Sequence, residues 1–498
     1  MNSDPLPQTV QLSLVSHTNV GKTTLARTLL GRDIGEVRDE AHVTQSADMH
    51  EMVATAEGDR LVLWDTPGFG DSARLAQRLA QSANPLGWFL AQVWDRYRDR
   101  AFWSSQQAVR NVREQADIVL YLVNAAEDPQ DAGYVAPEMR VLEWIGKPVV
   151  VLLNQLGRPR PAAEEQAEVQ RWRSHLADVP SLRAVLAFDA FARCWVQEAV
   201  LFGALAEAVP AGKRDGFVRL KAQWLRRRRE IFDAALGVLA ERLARAALDR
   251  EPVAEGGWGE RLRGLGIALG VRGEAEDSPR QSAMRALAER LDNDIRTTAD
   301  RLIALHGLGG HAAAEILTRL AKHYALRERL NEGKAAALGG MVTGALAGLK
   351  ADLASGGLTF GAGLLVGGVL GALGAAGLAR GYNLARGAGV TTVSWTEEVL
   401  DELAVSSLLA YLAVAHYGRG RGDWAASEYP AHWQATVAAA YAQQQETFTH
   451  IWALRGDADT TGAIGSALKD ALAVAAGDAL QRLYPEARLD LGGVDAPD

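Results

Sequence analysis

The chain has one cysteine, Cys194, in 498 residues. That excludes a disulfide framework and fits a reducing compartment. Cys194 lies in the apolar run AFARCWVQ and reads as a small buried hydrophobe, not a nucleophile. A large charge imbalance is also missing. The net charge is −8 and the pI ≈ 5.8, so whole-chain charge gives no reason to expect nucleic acid or an anionic membrane as partner. The opening MNSDPLPQTVQ has no basic n-region and no apolar h-region, so no secretory signal is expected. His306, His311, His323 and His416 lack metal-ligand spacing. No Ser/His/Asp arrangement and no repeat period stand out. The Arg226–Arg229 run has Glu230 and Glu241 near it on a helix and reads as a solvated face.

What is present divides the chain. Residues 10–210 alternate β-like runs with helical stretches: VQLSLV, MHEMVATA, RLVLWD, DIVLYLVN, PVVVLLN and RAVLAF. Apolar strands separated by helices predict an α/β domain with a mostly parallel six-stranded sheet covered on both faces. After Pro210 the β signal disappears and amphipathic helices follow. Leu225, Phe232, Leu236, Leu239 and Leu243 share one helical face. The expected divisions are an α/β domain over 1–212, a helical region over 213–334, a glycine-rich hairpin over 335–390 and a helical region over 391–498. The part after 212 is expected to be all-α.

The chemistry is concentrated near the N-terminus. Ser16-His17-Thr18-Asn19-Val20-Gly21-Lys22-Thr23 matches G-x-x-x-x-G-K-[ST] everywhere except its first position. A strand ends at Val15 and a helix begins near Lys22. In such a loop the backbone N–H groups from Ser16 to Thr24 turn inward and cradle phosphates, aided by the positive end of the helix dipole. Lys22 would reach the β- and γ-phosphates, and Thr23 would ligate Mg²⁺. Serine at 16 is a small residue that a tight turn tolerates. Asp65-Thr66-Pro67-Gly68 ends the third β-like run. Asp65 suits a Mg²⁺-holding residue, and the Gly68 N–H a γ-phosphate sensor. Thr44 is the candidate switch threonine that closes on Mg²⁺, with an ordinary loop threonine as the alternative. Asn154 sits at the tip of the fifth run, where a base-reading N-K-x-D belongs.

On these motifs residues 10–210 resemble the Era-like bacterial GTPases, within the translation-factor-related class. The resemblance implies a P-loop GTPase fold, GTP and GDP as ligands, Mg²⁺, and roles for Lys22, Thr23, Asp65, Gly68 and Thr44. It also implies that Asn19, at the asparagine of the family's G-x-x-N-x-G-K-S loop, helps hold K⁺ near the phosphates. Phe69 follows the motif where small signalling GTPases carry a water-orienting glutamine, which favours cation- or partner-assisted hydrolysis. The motif Asn154-Gln155-Leu156-Gly157 lacks the aspartate that reads guanine. Asp189, in AFDAF after the sixth run, either compensates for it or is an N-cap or surface residue. The whole chain, with NQLG, FDAFARCWVQE and AVAHYGRGRGDW, is similar to a bacterial family that joins an Era-like domain to a C-terminal helical domain of unknown function.

Glycine is concentrated in one place, with 16 of 50 within 335–390. Leu353–Ala379 carries no charge, and Gly363, Gly367 and Gly371 repeat at i, i+4, as do Gly340, Gly344 and Gly348. The segment reads as a helical hairpin, and three outcomes stay open: a membrane hairpin, a glycine zipper released by nucleotide state, or a soluble core. The expectation is a Mg²⁺-dependent GTPase switch. Residues about 33–48 and 68–82 would be its switch segments, and the 69–115 insertion would relay γ-phosphate loss. It would be cytoplasmic, meet the inner membrane through 335–390, and engage a protein partner or self-assemble, with no nucleic acid. The alternatives are a soluble nucleotide-gated binding module with negligible hydrolysis, and a promiscuous NTPase or ATPase.

Overall fold

In a computed structural model, residues 6–32, 48–81, 87, 89–90, 100–157, 159–190, 194–253, 279–308, 382–387, 390–417, 430–456 and 461–487 are described. Thr44, the GRGRGDW stretch and nearly all of 335–390 lie outside them.

The chain forms two compact units. The first comprises residues 1–230, 415–425 and 480–490; the second comprises 231–414, 426–479 and 491–498. The first unit alternates strands and helices in the order β1 (Thr9–Ser16), α1 (Lys22–Leu30), β2 (Asp48–Ala54), β3 (Arg60–Asp65), α2 (Ser72–Leu79), α3 (Arg100–Glu114), β4 (Ile118–Asn124), α4 (Val135–Ile145), β5 (Val149–Asn154), α5 (Ala162–His175), β6 (Leu182–Ala187) and α6 (Trp195–Ala208). Helix α7 (Arg214–Leu248) follows, and the division between the units falls within it.

The strand order is β2-β3-β1-β4-β5-β6. All neighbours pair in parallel except β2 and β3. Every residue of β5, VVVLLN, is buried, as a strand covered on both faces requires. Val119, Tyr121, Val123, Val149, Val151 and Leu153 face a core completed by Phe69, Leu75, Val135, Met139 and Leu142. Strand β1 lies between β3 and β4, so the chain order reverses at its carboxyl end. Open α/β sheets leave a ligand crevice at such a point.

The second unit contains the later part of α7, then α8 (Pro279–Leu305), α9 (Glu397–Ala415, through residue 414), α10 (Ala431–Gln443), α11 (Gln445–Ala453) and α12 (Thr461–Leu483, through residue 479). Of the predicted shared face, Phe232, Leu236, Leu239 and Leu243 are buried, while Leu225, in the first unit, is half-buried. Helix α9 is buried at thirteen positions from Val399 to Val414, among them Tyr411, whose ring meets Phe232 edge-on at 5.5 Å. Asp401 on this helix accepts hydrogen bonds from Tyr441 OH (2.5 Å) and Trp452 Nε1 (2.8 Å).

The C-terminal region is rich in helices, as expected, and adds a sheet that the sequence reading did not include. Strands β7 (Arg250–Pro252), β8 (Tyr382–Gly387) and β9 (Val390–Trp395) pair antiparallel in the order β7-β9-β8. Residues 382–387 and Val390 of the expected helical hairpin are therefore extended. Among the described residues no helix is long and apolar enough to cross a membrane.

Candidate functional site

The loop from Ser16 to Lys22 leaves the carboxyl end of β1 and turns into α1. Asn19 (φ 66°) and Gly21 (φ 92°) adopt the left-handed conformation that makes this turn. Such a φ is natural for glycine and tolerated by asparagine. Asn19 is exposed. Gly21 is the N-cap of α1 and carries no capping side chain, which leaves the first-turn N–H groups to whatever binds there.

Lys22 is buried, and its Nζ donates to Ser16 Oγ at 3.0 Å. Burial pulls its pKa below the ordinary lysine value, opposed by the charges of Asp65 and Glu138. An ammonium held with so little solvent is an electrostatically strong anion site. Ser16 Oγ also donates to the His17 carbonyl at 2.5 Å. The serine at the expected glycine position thus provides the acceptor that receives Lys22.

The segment after β3 lies against this loop. Phe69 N donates to Ser16 O at 2.9 Å, and Thr66 Oγ1 donates to Leu14 O at 2.6 Å. A methyl at Gly68 would stand 2.9 Å from Lys22 Nζ and 3.2 Å from Thr18 Cα. Lys22 and the Gly68 backbone therefore border the same small space.

Asp65 Oδ2 accepts from Thr23 Oγ1 at 2.8 Å, while Asp65 Oδ1 is buried without a hydrogen-bond partner. Burial raises the Asp65 pKa to about 6, with Lys22 and the Thr23 bond pulling the other way. A dehydrated carboxylate with an unused oxygen beside a threonine hydroxyl suits a hard divalent cation. The residues present fit Mg²⁺. Among the described residues no group of three or more His, Cys, Asp or Glu side chains could hold a metal by itself.

At the far side of the crevice Asn154 links two loops. Its Nδ2 donates to Val20 O (2.7 Å) and its Oδ1 accepts from Ala190 N (2.9 Å). Thr28 Oγ1 donates to Ala190 O (2.9 Å). Gln155 (φ 59°) and Gly157 (φ 82°) turn the following chain. Asp189 is neither an N-cap nor a surface residue. It is buried, and its Oδ2 accepts from Leu156 N at 2.7 Å. Its carboxylate thus meets the N-Q-L-G loop from just beyond the adjacent strand β6. Cys194 is buried and starts α6, with its N–H donating to Gln197 Oε1 (3.0 Å).

The sequence reading missed the surroundings of His17. His17 Nδ1 donates to Glu138 Oε1 (2.8 Å), and its ring stacks on Tyr134 with centroids 4.6 Å apart. Ser72 and Tyr121 also donate to Glu138. The available signal was a carboxylate on the buried stripe Val135, Glu138, Met139, Leu142 of α4.

This fold and pocket define a P-loop nucleotide-binding α/β domain. Residues 11–155 match the family described as 50S ribosome-binding GTPase. Residues 173–473, more than half of the chain, match the domain of unknown function DUF3482, and the chain belongs to that family. GTPase Der of Myxococcus xanthus is 30% identical over 178 residues, covering 35% of this chain and 31% of that protein. The chain thus spans about a third of the length of the curated relative it matches. Among solved structures, a point variant of Aquifex aeolicus Era bound to GDP·AlF4⁻ covers 41% of this chain and 57% of its own, at 19% identity and TM-score 0.29. Era with MgGDPNP and nucleotides 1506–1542 of 16S ribosomal RNA covers 41% and 58%, at 18% identity and TM-score 0.30.

Proposed function

We propose that this chain is a Mg²⁺-dependent, GTP-hydrolysing switch whose nucleotide state controls its C-terminal domain. The observation that carries the reading is the hydrogen bond from half-buried Thr23 to buried Asp65 at the foot of the phosphate loop, with Asp65 Oδ1 unpartnered. Lys22 and the loop N–H groups bind the phosphates. Thr23 and Asp65 hold Mg²⁺, and Thr44 joins them in the triphosphate state. Bound Mg²⁺ supplies neutralisation of phosphate charge. The Gly68 N–H meets the γ-phosphate beside Lys22, and Asn19 would help hold K⁺ near the phosphates.

Asp189 takes the place of the missing guanine-reading carboxylate. It reaches the N-Q-L-G loop at Leu156 N, one residue before Gly157. Because Gly157 itself offers no carboxylate, broader nucleotide use is the second reading. The output proposed for 335–390 is contact with the cytoplasmic side of the inner membrane or with a protein partner.

Phosphate release with GTP and ATP, in Na⁺ and in K⁺, tests the reading. GTP turnover should exceed ATP turnover, rise in K⁺ and vanish in Lys22→Ala. Binding without release would favour the nucleotide-gated module, and equal GTP and ATP rates the promiscuous NTPase. Asp189→Ala should lose guanine preference while keeping phosphate-dependent binding; an unchanged preference sinks the compensation. Fractionation of the full chain beside a 335–390 deletion tests the membrane contact, which is refuted if the full chain stays in the supernatant in every nucleotide state.

A further inference from the structure

We propose that Glu138 is a positioning residue for GTP hydrolysis: through Ser72 and His17 it latches the chain that follows Gly68 onto the phosphate loop. This rests on the GTPase reading above. The Glu138 side chain is fully buried on α4. Its Oε1 accepts from Ser72 Oγ at 2.7 Å and from His17 Nδ1 at 2.8 Å, and its Oε2 accepts from Tyr121 OH at 2.6 Å.

Those donors come from three separate pieces of chain. His17 belongs to the phosphate loop, Ser72 opens α2 four residues after Gly68, and Tyr121 stands on β4. Packing alone gives no reason for a carboxylate here. Val135, Met139 and Leu142 beside it are buried hydrocarbons, and a hydrocarbon usually stabilises such a site at least as well as a buried charge. What a carboxylate adds is the ability to take several short hydrogen bonds at once and fix the groups that donate them.

The latched segment is the one that must hold Gly68 beside Lys22. It is docked at successive points. Phe69 is buried and bonded to Ser16 O. Gly70 N donates to Ser105 Oγ (3.1 Å), and a methyl at Gly70 would stand 2.5 Å from Ala101 Cβ. Ser72 N donates to Gly70 O (3.0 Å). The Ser72–Glu138–His17 link closes this series back onto the phosphate loop, with the Tyr134 ring fixing His17. Removing the link frees the approach of Gly68 to the γ-phosphate and leaves the loop's own phosphate contacts in place.

The test is GTP turnover and GDP affinity of four variants in the full chain. Ser72→Ala spares the cap of α2, because Asp71 provides it to Arg74 N. It should lower kcat on the order of tenfold to a hundredfold, the upper value being the scale of a misplacement of about 1 Å, with KM and GDP affinity within about twofold. Glu138→Ala should lose at least as much, and Glu138→Gln, which keeps an acceptor oxygen for Ser72, should recover part of it. Tyr121→Phe removes only the Oε2 bond; it should lower the melting temperature and leave kcat unchanged. Wild-type kcat in Ser72→Ala, or an equal loss of kcat in Tyr121→Phe and Ser72→Ala, overturns the latch. A wild-type chain that binds GTP without releasing phosphate overturns the GTPase reading, and the latch falls with it.

Discussion

Two glycines with the same backbone problem have different neighbours. Gly21 and Gly31 bracket α1, both at positive φ. At Gly31 an added methyl meets nothing within 4 Å, so Gly31→Ala carries only the backbone cost, about 1–2 kcal/mol. At Gly21 the methyl would stand 2.8 Å from Asn154 Nδ2, the amide that bonds Val20 O, while Asn154 Oδ1 holds Ala190 N. Gly21→Ala should therefore weaken fluorescent-GDP binding by more than about tenfold, because it disturbs the phosphate loop and the base-side loops together. Gly31→Ala should lower only the melting temperature. Equal GDP affinities in the two variants would show that the Asn154 link does not support binding.

At the scale of elements, the β2–β3 hairpin is tied down by one carboxylate. Asp59 is buried and accepts from Gln8 N (2.9 Å), from Thr55 Oγ1 (3.2 Å), and from Arg219 Nε (2.6 Å) and an Arg219 terminal nitrogen (2.9 Å). The Arg219 hydrogen bond, first among the causes, holds the Asp59 pKa below the ordinary carboxylate value. A depressed carboxylate pKa contributes stability that is complete above the unfolded value and lost as pH falls through the folded one. Asp59→Asn should melt roughly 6–12 °C below wild type at pH 7, since breaking a pair with a buried carboxylate costs about 3 kcal/mol and each kcal/mol shifts a domain of this size by about 2–4 °C. The gap should narrow as the pH drops below about 4. A gap that is constant from pH 7 to pH 3 would mean that charge is not what Asp59 contributes. The elements themselves were largely legible in the sequence. All six strands of the first sheet coincide with the β-like runs to within two residues; in β1, β3, β4 and β5 burial is written as hydrophobicity, whereas β2 has no buried residue and β6 only one. The antiparallel pairing of β2 was not legible. Nor was the second sheet, whose strands REP and YNLARG carry no apolar alternation and are created by pairing with VTTVSW. The site divides the same way. Lys22, Thr23, Asp65, Gly68 and Asn154 follow from motif spacing. Glu138 does not, since its donors lie 121, 66 and 17 positions away and only the fold brings them together.

At the scale of the molecule, the chain does not pass once from the first unit to the second. Residues 415–425 and 480–490 belong with the first unit, although they lie within or after the helices of the other unit. A switch needs a free energy that couples nucleotide state to the second unit, and such coupling is reciprocal. Bound nucleotide stabilises whatever conformation binds it by RT ln(1 + [L]/Kd), about 2.7 kcal/mol at a hundredfold excess over Kd. Any part of that energy shared with the second unit must appear as a change in its local opening. Amide hydrogen exchange with a GTP analogue and with GDP should therefore differ in 68–79, within the switch segment proposed for about 68–82. It should also differ in α8 and α9, within 279–305 and 397–414. In Lys22→Ala, which does not retain nucleotide, both differences should disappear. If exchange changes in 68–79 but stays identical through 279–305 and 397–414, nucleotide binding is confined to the first unit, and the C-terminal domain is not the output of the switch.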